Sequence, residues 1–172
     1  MKLPRPAPIV AGVLIAALGA AVAIGAWNIL GARSPAPSVS YTLLDGSKQA
    51  IDHHLGKVLL VNFWATSCVA CVAEMPQLAA THRKFNSLGY ETLAVAMSYD
   101  RPDAVLRFAQ TRNLPFGVTF DRSGDIAARF GDVQLTPTSF LIDRQGRIVR
   151  RWLGKPDFDA LDALIGKLLA DG

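Results

Sequence analysis

Two cysteines three positions apart, Cys68 and Cys71, stand where a strand pattern gives way to a helix pattern. The run KVLLVNF, over residues 57–63, is apolar enough for a central strand buried on both faces, and a helix is predicted from about residue 68 to residue 86. The N-terminus of a helix stabilises the thiolate, the reactive form of cysteine, through its unpaired N–H groups and its dipole. We therefore expect a fold in which a buried strand delivers a reactive sulfur to the start of a helix.

The spacing of the cysteines assigns them different tasks. Two intervening residues place the second sulfur one helical turn behind the first. We expect Cys68 to be the exposed, attacking thiol and Cys71 to be the more buried, resolving thiol, which closes an intramolecular disulfide after a mixed-disulfide intermediate. A purely structural disulfide across so short a loop would constrain little of the unfolded chain and would therefore stabilise little.

Haem and metal sites are poorly supported by the same residues. Haem attachment requires a histidine directly after the second cysteine, and Val72 is there instead. Zinc would need two further ligands, and no recognisable spacing is found among the three histidines, His53, His54 and His82. We predict surface positions for these histidines and no metal site. Because two soft thiolates can hold Cu(I), a copper-binding module remains an alternative.

The remaining pattern is that of an α/β sheet. Short β-branched runs alternate with amphipathic stretches, in the order β-α-β-α-β-α-β-β-α. Strands after the first are predicted over residues 92–97, 118–120, 139–143 and 147–152, and helices after the first over 102–112, 125–130 and 157–170.

A long apolar segment precedes this pattern. From Ile9 to Leu30 the only strongly polar residue is Asn28, and the 22 residues would form a helix of about 33 Å, enough to cross the hydrocarbon core of a membrane. Positive charge precedes it at Lys2 and Arg5, so the positive-inside rule places the N-terminus in the cytoplasm and the rest of the chain outside. The alternative is a cleaved signal peptide, whose apolar core is normally shorter.

The chain thus divides into a cytoplasmic N-terminus with a transmembrane signal-anchor over residues 1–33, a proline-rich linker over 34–40, and one domain over 41–172. With 51% hydrophobic residues, the chain has enough apolar surface for a core, which excludes disorder. The formal net charge is +4, and two of the positive charges precede the apolar segment. The remaining balance is too even for a nucleic-acid surface.

The segment VNFWATSCVACVAEMP, together with Thr136-Pro137-Thr138 further on, resembles the thioredoxin superfamily, specifically its membrane-anchored TlpA/ResA-like thiol-disulfide oxidoreductases. The resemblance covers roughly residues 38 to 172. It implies a thioredoxin-like fold, in which helices flank a central mixed β-sheet, placed after the N-terminal transmembrane helix. It also implies a single-pass protein of the bacterial inner membrane with its catalytic domain in the periplasm.

The resemblance implies roles for individual residues. Cys68 matches the nucleophile and Cys71 the resolving cysteine. Pro137 matches the cis-proline that lies against the disulfide, where the backbone of the preceding Thr136 pairs with a substrate strand. Pro76 matches a proline that bends the active-site helix, a structural role.

Three further residues are predicted to line the site. Glu74 matches an acidic residue of ResA-like members and lies three positions beyond Cys71, where a carboxylate can exchange a proton with the buried thiol; the alternative is a solvated helix charge. Asn62 stands where thioredoxin has a buried aspartate, and it cannot accept a proton, which leaves Glu74 as the better candidate. Trp64 is either a core residue or a lid over the disulfide, and we expect it to be partly buried beside the sulfurs and to contact substrate.

The direction of electron flow is inferred from the two residues between the cysteines. Val69 and Ala70 are uncharged, so they stabilise the thiolate less than a histidine would, and this favours a reductase. No nicotinamide or flavin fingerprint is present, so we expect no cofactor beyond the redox-active disulfide. The family implies a membrane dithiol donor of the DsbD/CcdA kind and, as substrate, apocytochrome c or a copper-site assembly protein. The alternatives are a DsbA-type disulfide oxidase and a Cu(I) metallochaperone.

Overall fold

The computed structural model describes residues 33–171 of the chain. The strands of this part are β1 (Ser40–Thr42), β2 (Lys48–Ala50), β3 (Val58–Trp64), β4 (Tyr90–Ala96), β5 (Gly117–Phe120), β6 (Thr138–Ile142) and β7 (Ile148–Leu153). The α-helices are α1 (Val69–Phe85), α2 (Pro102–Thr111), α3 (Asp125–Arg129) and α4 (Phe158–Ala170). Short 3-10 turns cover Ile51–His54 and Asn86–Leu88.

Five of the strands form one mixed sheet in the order β5-β4-β3-β6-β7. Strand β3 pairs in parallel with β4 and antiparallel with β6, so it lies at the centre. Strands β1 and β2 form a separate antiparallel ribbon. This arrangement is a thioredoxin-like α/β fold, and the predicted central mixed sheet flanked by helices is confirmed.

The sheet is covered on both faces because side chains alternate along each strand. Every residue of β3 is buried. On one face Val58, Leu60 and Trp64 pack with helices α1, α2 and α4. On the other face Leu59, Val61 and Phe63 pack with helix α3, the loop that follows it and the N-terminal segment. As predicted, the strand that leads to the cysteines is buried on both faces.

The predicted elements differ from the observed ones at their ends by up to two residues, and the ribbon of β1 and β2 was not predicted. Each of its strands is three residues long, too short for an alternating pattern to stand out. The interpretation of residues 34–40 as a linker also needs refinement. Ala36 N–H donates to Gly146 O at 2.8 Å, Ile148 N–H donates to Ser34 O at 2.8 Å, and Val39 is buried.

The predicted signal-anchor lies outside the described residues. Within residues 33–171, the helices are all too short or too polar to span a bilayer.

The last helix begins at a side-chain cap that offers a simple stability test. Asp157 accepts hydrogen bonds from the N–H groups of Asp159 and Ala160 at 3.0 and 3.1 Å. Replacing Asp157 with alanine leaves these two donors without their protein acceptor, so we expect the free energy of unfolding to fall by about 1 kcal/mol in a urea titration. Asp171→Ala at the opposite end of the helix is the control, since a negative charge there does not stabilise the helix dipole. An equal loss in both variants would contradict the capping role.

Candidate active site

Three loops meet at one end of the sheet. Because β3 and β4 are parallel, the loops that follow them leave at the same edge, and β6 runs the opposite way and therefore begins there. We call these segments the CxxC loop (residues 65–68), the bridging loop (residues 97–101) and the proline loop (residues 134–137). Met97 N–H donates to Trp64 O at 3.0 Å and joins the first two. The strand order thus assembles residues that are far apart in sequence.

The two cysteines form a disulfide, with their Cα atoms 5.2 Å apart. Cys68 is the N-cap of helix α1, and its sulfur accepts a hydrogen bond from Cys71 N–H at 3.1 Å. Cys68 is half-buried, whereas Cys71 has no exposed surface. As predicted, Cys68 is the more accessible sulfur. A negative charge that develops on Cys68 would lie at the positive end of a helix of 17 residues.

A polar cluster is buried behind the cysteines. Glu74 and Asn62 are both 0% exposed. Asn62 lies on β3 on the face that helix α1 covers, and its amide donates to Glu74 Oε1 at 2.9 Å and to Ser139 Oγ at 3.0 Å. Asn62 and Ser139 are register partners on neighbouring strands. The other Glu74 oxygen has no hydrogen-bond partner within residues 33–171. The alternative of a solvated helix charge at Glu74 is therefore wrong.

Burial controls the ionisation of Glu74. Removal from water raises the pKa of Glu74 from 4.5 to about 7, while the hydrogen bond from Asn62 and the positive charge of Lys155 oppose the rise. A carboxyl group with a pKa near 7 can take up or release a proton under ordinary conditions. The group lies one helical turn beyond Cys71, so the site holds a proton acceptor on the same face of the helix as the buried sulfur.

The proline loop lies at the same end of the sheet as the CxxC loop. The peptide bond between Thr136 and Pro137 is cis, the geometry that the resemblance implies for Pro137. Pro137 O accepts a hydrogen bond from Gly154 N–H at 2.8 Å, and the Thr136 hydroxyl lies 3.2 Å from the Tyr99 hydroxyl. Exposed apolar side chains lie on the first residue of the helix, on the proline loop and on the bridging loop, with exposed fractions of 84% for Val69, 62% for Leu135 and 59% for Tyr99.

Two sequence-based expectations about this region are wrong. Trp64 is fully buried rather than partly exposed, because helix α2 covers it and Phe108 packs on its ring at a centroid distance of 5.1 Å. It has no free surface with which to touch a substrate. His82 is 5% exposed rather than on the surface, since it follows Leu78 by one turn on the buried face of α1. Its ring lies 3.3 Å from the Thr92 hydroxyl.

The other histidines and Pro76 lie near the surface. His53 is exposed, and His54 is half-buried with its ring nitrogen 2.7 Å from the Tyr41 hydroxyl. Pro76 is exposed and lies inside helix α1, which continues to Phe85. The predicted bend of the helix at Pro76 stays a prediction.

Sequence reasoning missed three residues that the site brings together: Ser139, which bonds Asn62, and Thr66 and Asp100, which bond each other. Ser139 could have been found from the strand register, because it lies opposite Asn62. The pairing of Thr66 with Asp100 carries no local signal, since 34 residues separate them.

Comparison with known proteins agrees with this geometry. A family model described as Redoxin matches residues 31–165, which is more than half of the chain. The chain belongs to the redoxin family. Within it, this redoxin resembles the thiol-disulfide oxidoreductase ResA of Bacillus thuringiensis subsp. konkukian, with 34% identity over 134 residues that cover 77% of this chain and 76% of the relative. The sequence-based resemblance to TlpA/ResA-like proteins is confirmed.

Solved structures give the same result. A Neisseria meningitidis protein solved in solution as a candidate thioredoxin matches this redoxin with a TM-score of 0.75 and 34% identity, over 81% of this chain and 93% of that one. A thiol:disulfide interchange protein of the thioredoxin family from Chlorobium tepidum TLS matches with a TM-score of 0.74 and 25% identity, over 80% and 97% of the two chains. This redoxin is therefore a thiol–disulfide oxidoreductase of the ResA type, and the Cys68–Cys71 pair is its CxxC motif.

Proposed function

We propose that the protein reduces disulfides in extracytoplasmic proteins while its N-terminal apolar segment anchors it in the bacterial inner membrane. The observation that carries the reducing direction is the sparse stabilisation of the Cys68 sulfur. Its hydrogen bond comes from one backbone N–H, and the side chains between the cysteines are the apolar Val69 and Ala70. A weakly stabilised thiolate makes the reduced form the better electron donor.

The reaction proceeds as two exchanges. The Cys68 thiolate attacks one sulfur of the partner disulfide, which forms a mixed disulfide and releases the other partner sulfur as a thiolate that takes up a proton. Cys71 then loses its proton and attacks the Cys68 sulfur. The second partner thiolate leaves, and the Cys68–Cys71 disulfide remains. The second partner thiolate also takes up a proton. Two electrons therefore pass from the protein to its partner, and the two protons that the partner gains match the two that Cys68 and Cys71 release.

Glu74 supplies the proton exchange for the second step in this proposal. Cys71 is fully buried, so its proton cannot pass directly to bulk water. The Glu74 carboxylate is one turn away on the same helix face, and its Oε2 has no other hydrogen-bond partner among residues 33–171. Asn62 holds the other oxygen and fixes the group in the core. Glu74 therefore accepts the Cys71 proton as the thiolate forms.

The proline loop supplies the partner-binding backbone in this proposal. Thr136 precedes the cis peptide bond at Pro137, and its backbone pairs with an extended strand of the partner. The exposed apolar side chains of Val69, Leu135 and Tyr99 bury apolar surface of the partner at the same time.

After each reaction, the Cys68–Cys71 disulfide must be reduced again by another protein. The chain contains no nicotinamide or flavin fingerprint, so we propose a membrane dithiol protein of the DsbD/CcdA kind as the electron donor. The substrate class is apocytochrome c or a copper-site assembly protein.

Retention of the chain in membranes after an alkaline wash tests the anchor. Labelling of reduced Cys68 by a membrane-impermeant maleimide in spheroplasts tests the periplasmic side.

The reduction potential tests the direction of electron flow. The full chain in mild detergent is equilibrated with defined dithiol and disulfide buffers, and the state of Cys68 and Cys71 is read by thiol alkylation. We expect a potential below about −230 mV, in the range of thioredoxin and the more reducing glutaredoxins. A value near about −120 mV is that of a strong oxidase and would overturn the proposal.

A further inference from the structure

Asp100 joins the bridging loop to the CxxC loop through two short hydrogen bonds. Its carboxylate accepts the backbone N–H of Thr66 and the Thr66 hydroxyl, both at 2.6 Å. The backbone N–H of Arg101 donates to the same carboxylate at 2.8 Å. Three donors therefore converge on one side chain, and two of them belong to the loop that carries the nucleophile.

The bonded residue lies very close to the reactive sulfur in sequence. Thr66 precedes Cys68 by two positions, inside a turn that Cys68 N–H closes on Ala65 O at 3.1 Å. Two residues span at most about 7 Å between their Cα atoms, so the Asp100 carboxylate lies within roughly 14 Å of the Cys68 sulfur. Asp100 itself is held by its own N–H, which donates to Met97 O at 2.9 Å. The carboxylate is thus fixed relative to the turn.

We propose that Asp100 is a positioning residue for thiol–disulfide exchange. It clamps the turn that presents Cys68, and its negative charge disfavours the Cys68 thiolate and so favours the disulfide. The charge makes the reduced protein a better electron donor than the same fold with a neutral side chain at this position. Unlike Glu74, Asp100 does not need to move a proton for this effect.

The other charged side chains of this region differ from Asp100 in where they are directed. Glu74 lies on the buried face of α1, and Lys155, which follows β7, acts on it with opposite sign. The guanidinium of Arg101 bonds Asp103 at 2.9 Å, and Arg107 lies 3.7 Å from the same carboxylate. These two cations are therefore directed to Asp103 rather than to Asp100.

Substitutions can separate the clamp from the charge. In Asp100→Asn the Arg101 N–H, which shares its acceptor oxygen with the Thr66 hydroxyl, loses that acceptor. The variant keeps an oxygen for the Thr66 N–H and offers an amide donor to the Thr66 hydroxyl, which can also accept, so it removes the charge and keeps the clamp on the CxxC loop. Asp100→Ala removes both. Asp103→Asn is the matched control, because it makes the same change of charge three positions away, on an exposed residue whose side chain bonds arginines.

The charge is tested by the pKa of Cys68 in the reduced full chain, from the pH dependence of its alkylation by iodoacetamide. We expect Asp100→Asn to lower this pKa by about half a unit to one unit, the size of a Coulomb interaction at this distance near a surface. At a pH above the pKa of Cys68 in both proteins, the equilibrium with glutathione should shift three- to tenfold toward the reduced protein. Asp103→Asn should change either quantity less than twofold. Equal effects of Asp100→Asn and Asp103→Asn, or a rise of the pKa, would overturn the role of the charge.

The clamp is tested by amide hydrogen exchange of Thr66 in the oxidised full chain. We expect Asp100→Ala to accelerate exchange at least tenfold and Asp100→Asn to retain most of the protection. Unchanged exchange in Asp100→Ala would overturn the clamp. The inference rests on thiol–disulfide exchange at Cys68 and Cys71, but it does not depend on the reducing direction proposed above. The tests measure the difference between each variant and the parent. A high reduction potential of the parent would therefore reject the reducing direction without changing the result expected for Asp100.

Discussion

Replacing Cys71 with serine is expected to stop the reaction after the first exchange and to leave the partner bound to Cys68. The serine hydroxyl is close in size to the thiol but cannot displace a sulfur at neutral pH, so the fully buried position keeps its packing and loses its chemistry. With glutathione disulfide as the probe, mass spectrometry should show one glutathione per chain. Turnover with insulin as a disulfide substrate should fall by about a thousandfold or more.

The matched control is Cys68→Ser, which retains the buried thiol and lacks the accessible one. This variant should form no stable glutathione adduct, because Cys71 has no exposed surface from which to attack. A stable adduct on Cys71 would show that the roles of the two sulfurs are reversed. Rapid turnover in either single variant would show that the reaction does not need both sulfurs.

The parent protein is expected to lose stability as the pH rises toward neutrality, and replacing Glu74 with glutamine is expected to remove most of this loss. The pKa of Glu74 is about 7 in the folded protein and 4.5 in its ordinary state, so the folded protein holds the proton more tightly than the unfolded chain. This stabilisation is complete below about pH 4.5 and is lost as the pH rises toward 7. The parent therefore loses about 3 kcal/mol of unfolding free energy relative to the variant between pH 4.5 and pH 8.

The measurement is urea unfolding of the oxidised protein at several pH values, with Glu91→Gln as the control. Glu91 forms a partly exposed ion pair with Lys57 at 3.0 Å, so its replacement should change the pH dependence by less than about 1 kcal/mol. A difference between Glu74→Gln and the parent that stays constant with pH would contradict the raised pKa of Glu74.

The same Glu74→Gln variant tests the proposed proton exchange. Glutamine keeps the hydrogen bond from Asn62 through its carbonyl oxygen but cannot accept a proton. The rate at which Cys71 displaces glutathione from the mixed disulfide should therefore fall. The change of this rate with pH near 7 should disappear. An unchanged rate and pH profile would assign Glu74 a purely structural role.

The parts of the fold that the sequence predicted correctly are those with strong local patterns. Seven consecutive buried residues in β3 and the 17 residues of α1 give long, unambiguous signals, and the CxxC motif lies between them. The position of Cys71 on the buried face of the helix also follows from its spacing to Cys68. By contrast, the three-residue strands β1 and β2 are formed by pairing with each other, which a local pattern does not encode.

The errors at the site have a common physical cause. Trp64 and His82 are amphipathic side chains, and whether their polar atoms face water depends on which element packs over them. Phe108 covers Trp64, and Phe116 lies 5.7 Å from the ring of His82, so both contacts come from elements distant in sequence. The bond between Thr66 and Asp100 likewise depends on the parallel pairing of β3 and β4, which brings their following loops together.

The complete burial of β3 on both faces restricts where this protein can be re-engineered. Six of its seven residues belong to one of the two apolar cores, and the seventh, Asn62, bonds Glu74 and Ser139. Attempts to alter partner choice therefore have little room in this strand. By contrast, Tyr99 and Leu135 are mostly exposed, so most of the surface of these side chains is not packed against the core. A library that varies these loop positions and leaves the central strand untouched should yield many folded proteins with the same sulfur chemistry and different partners.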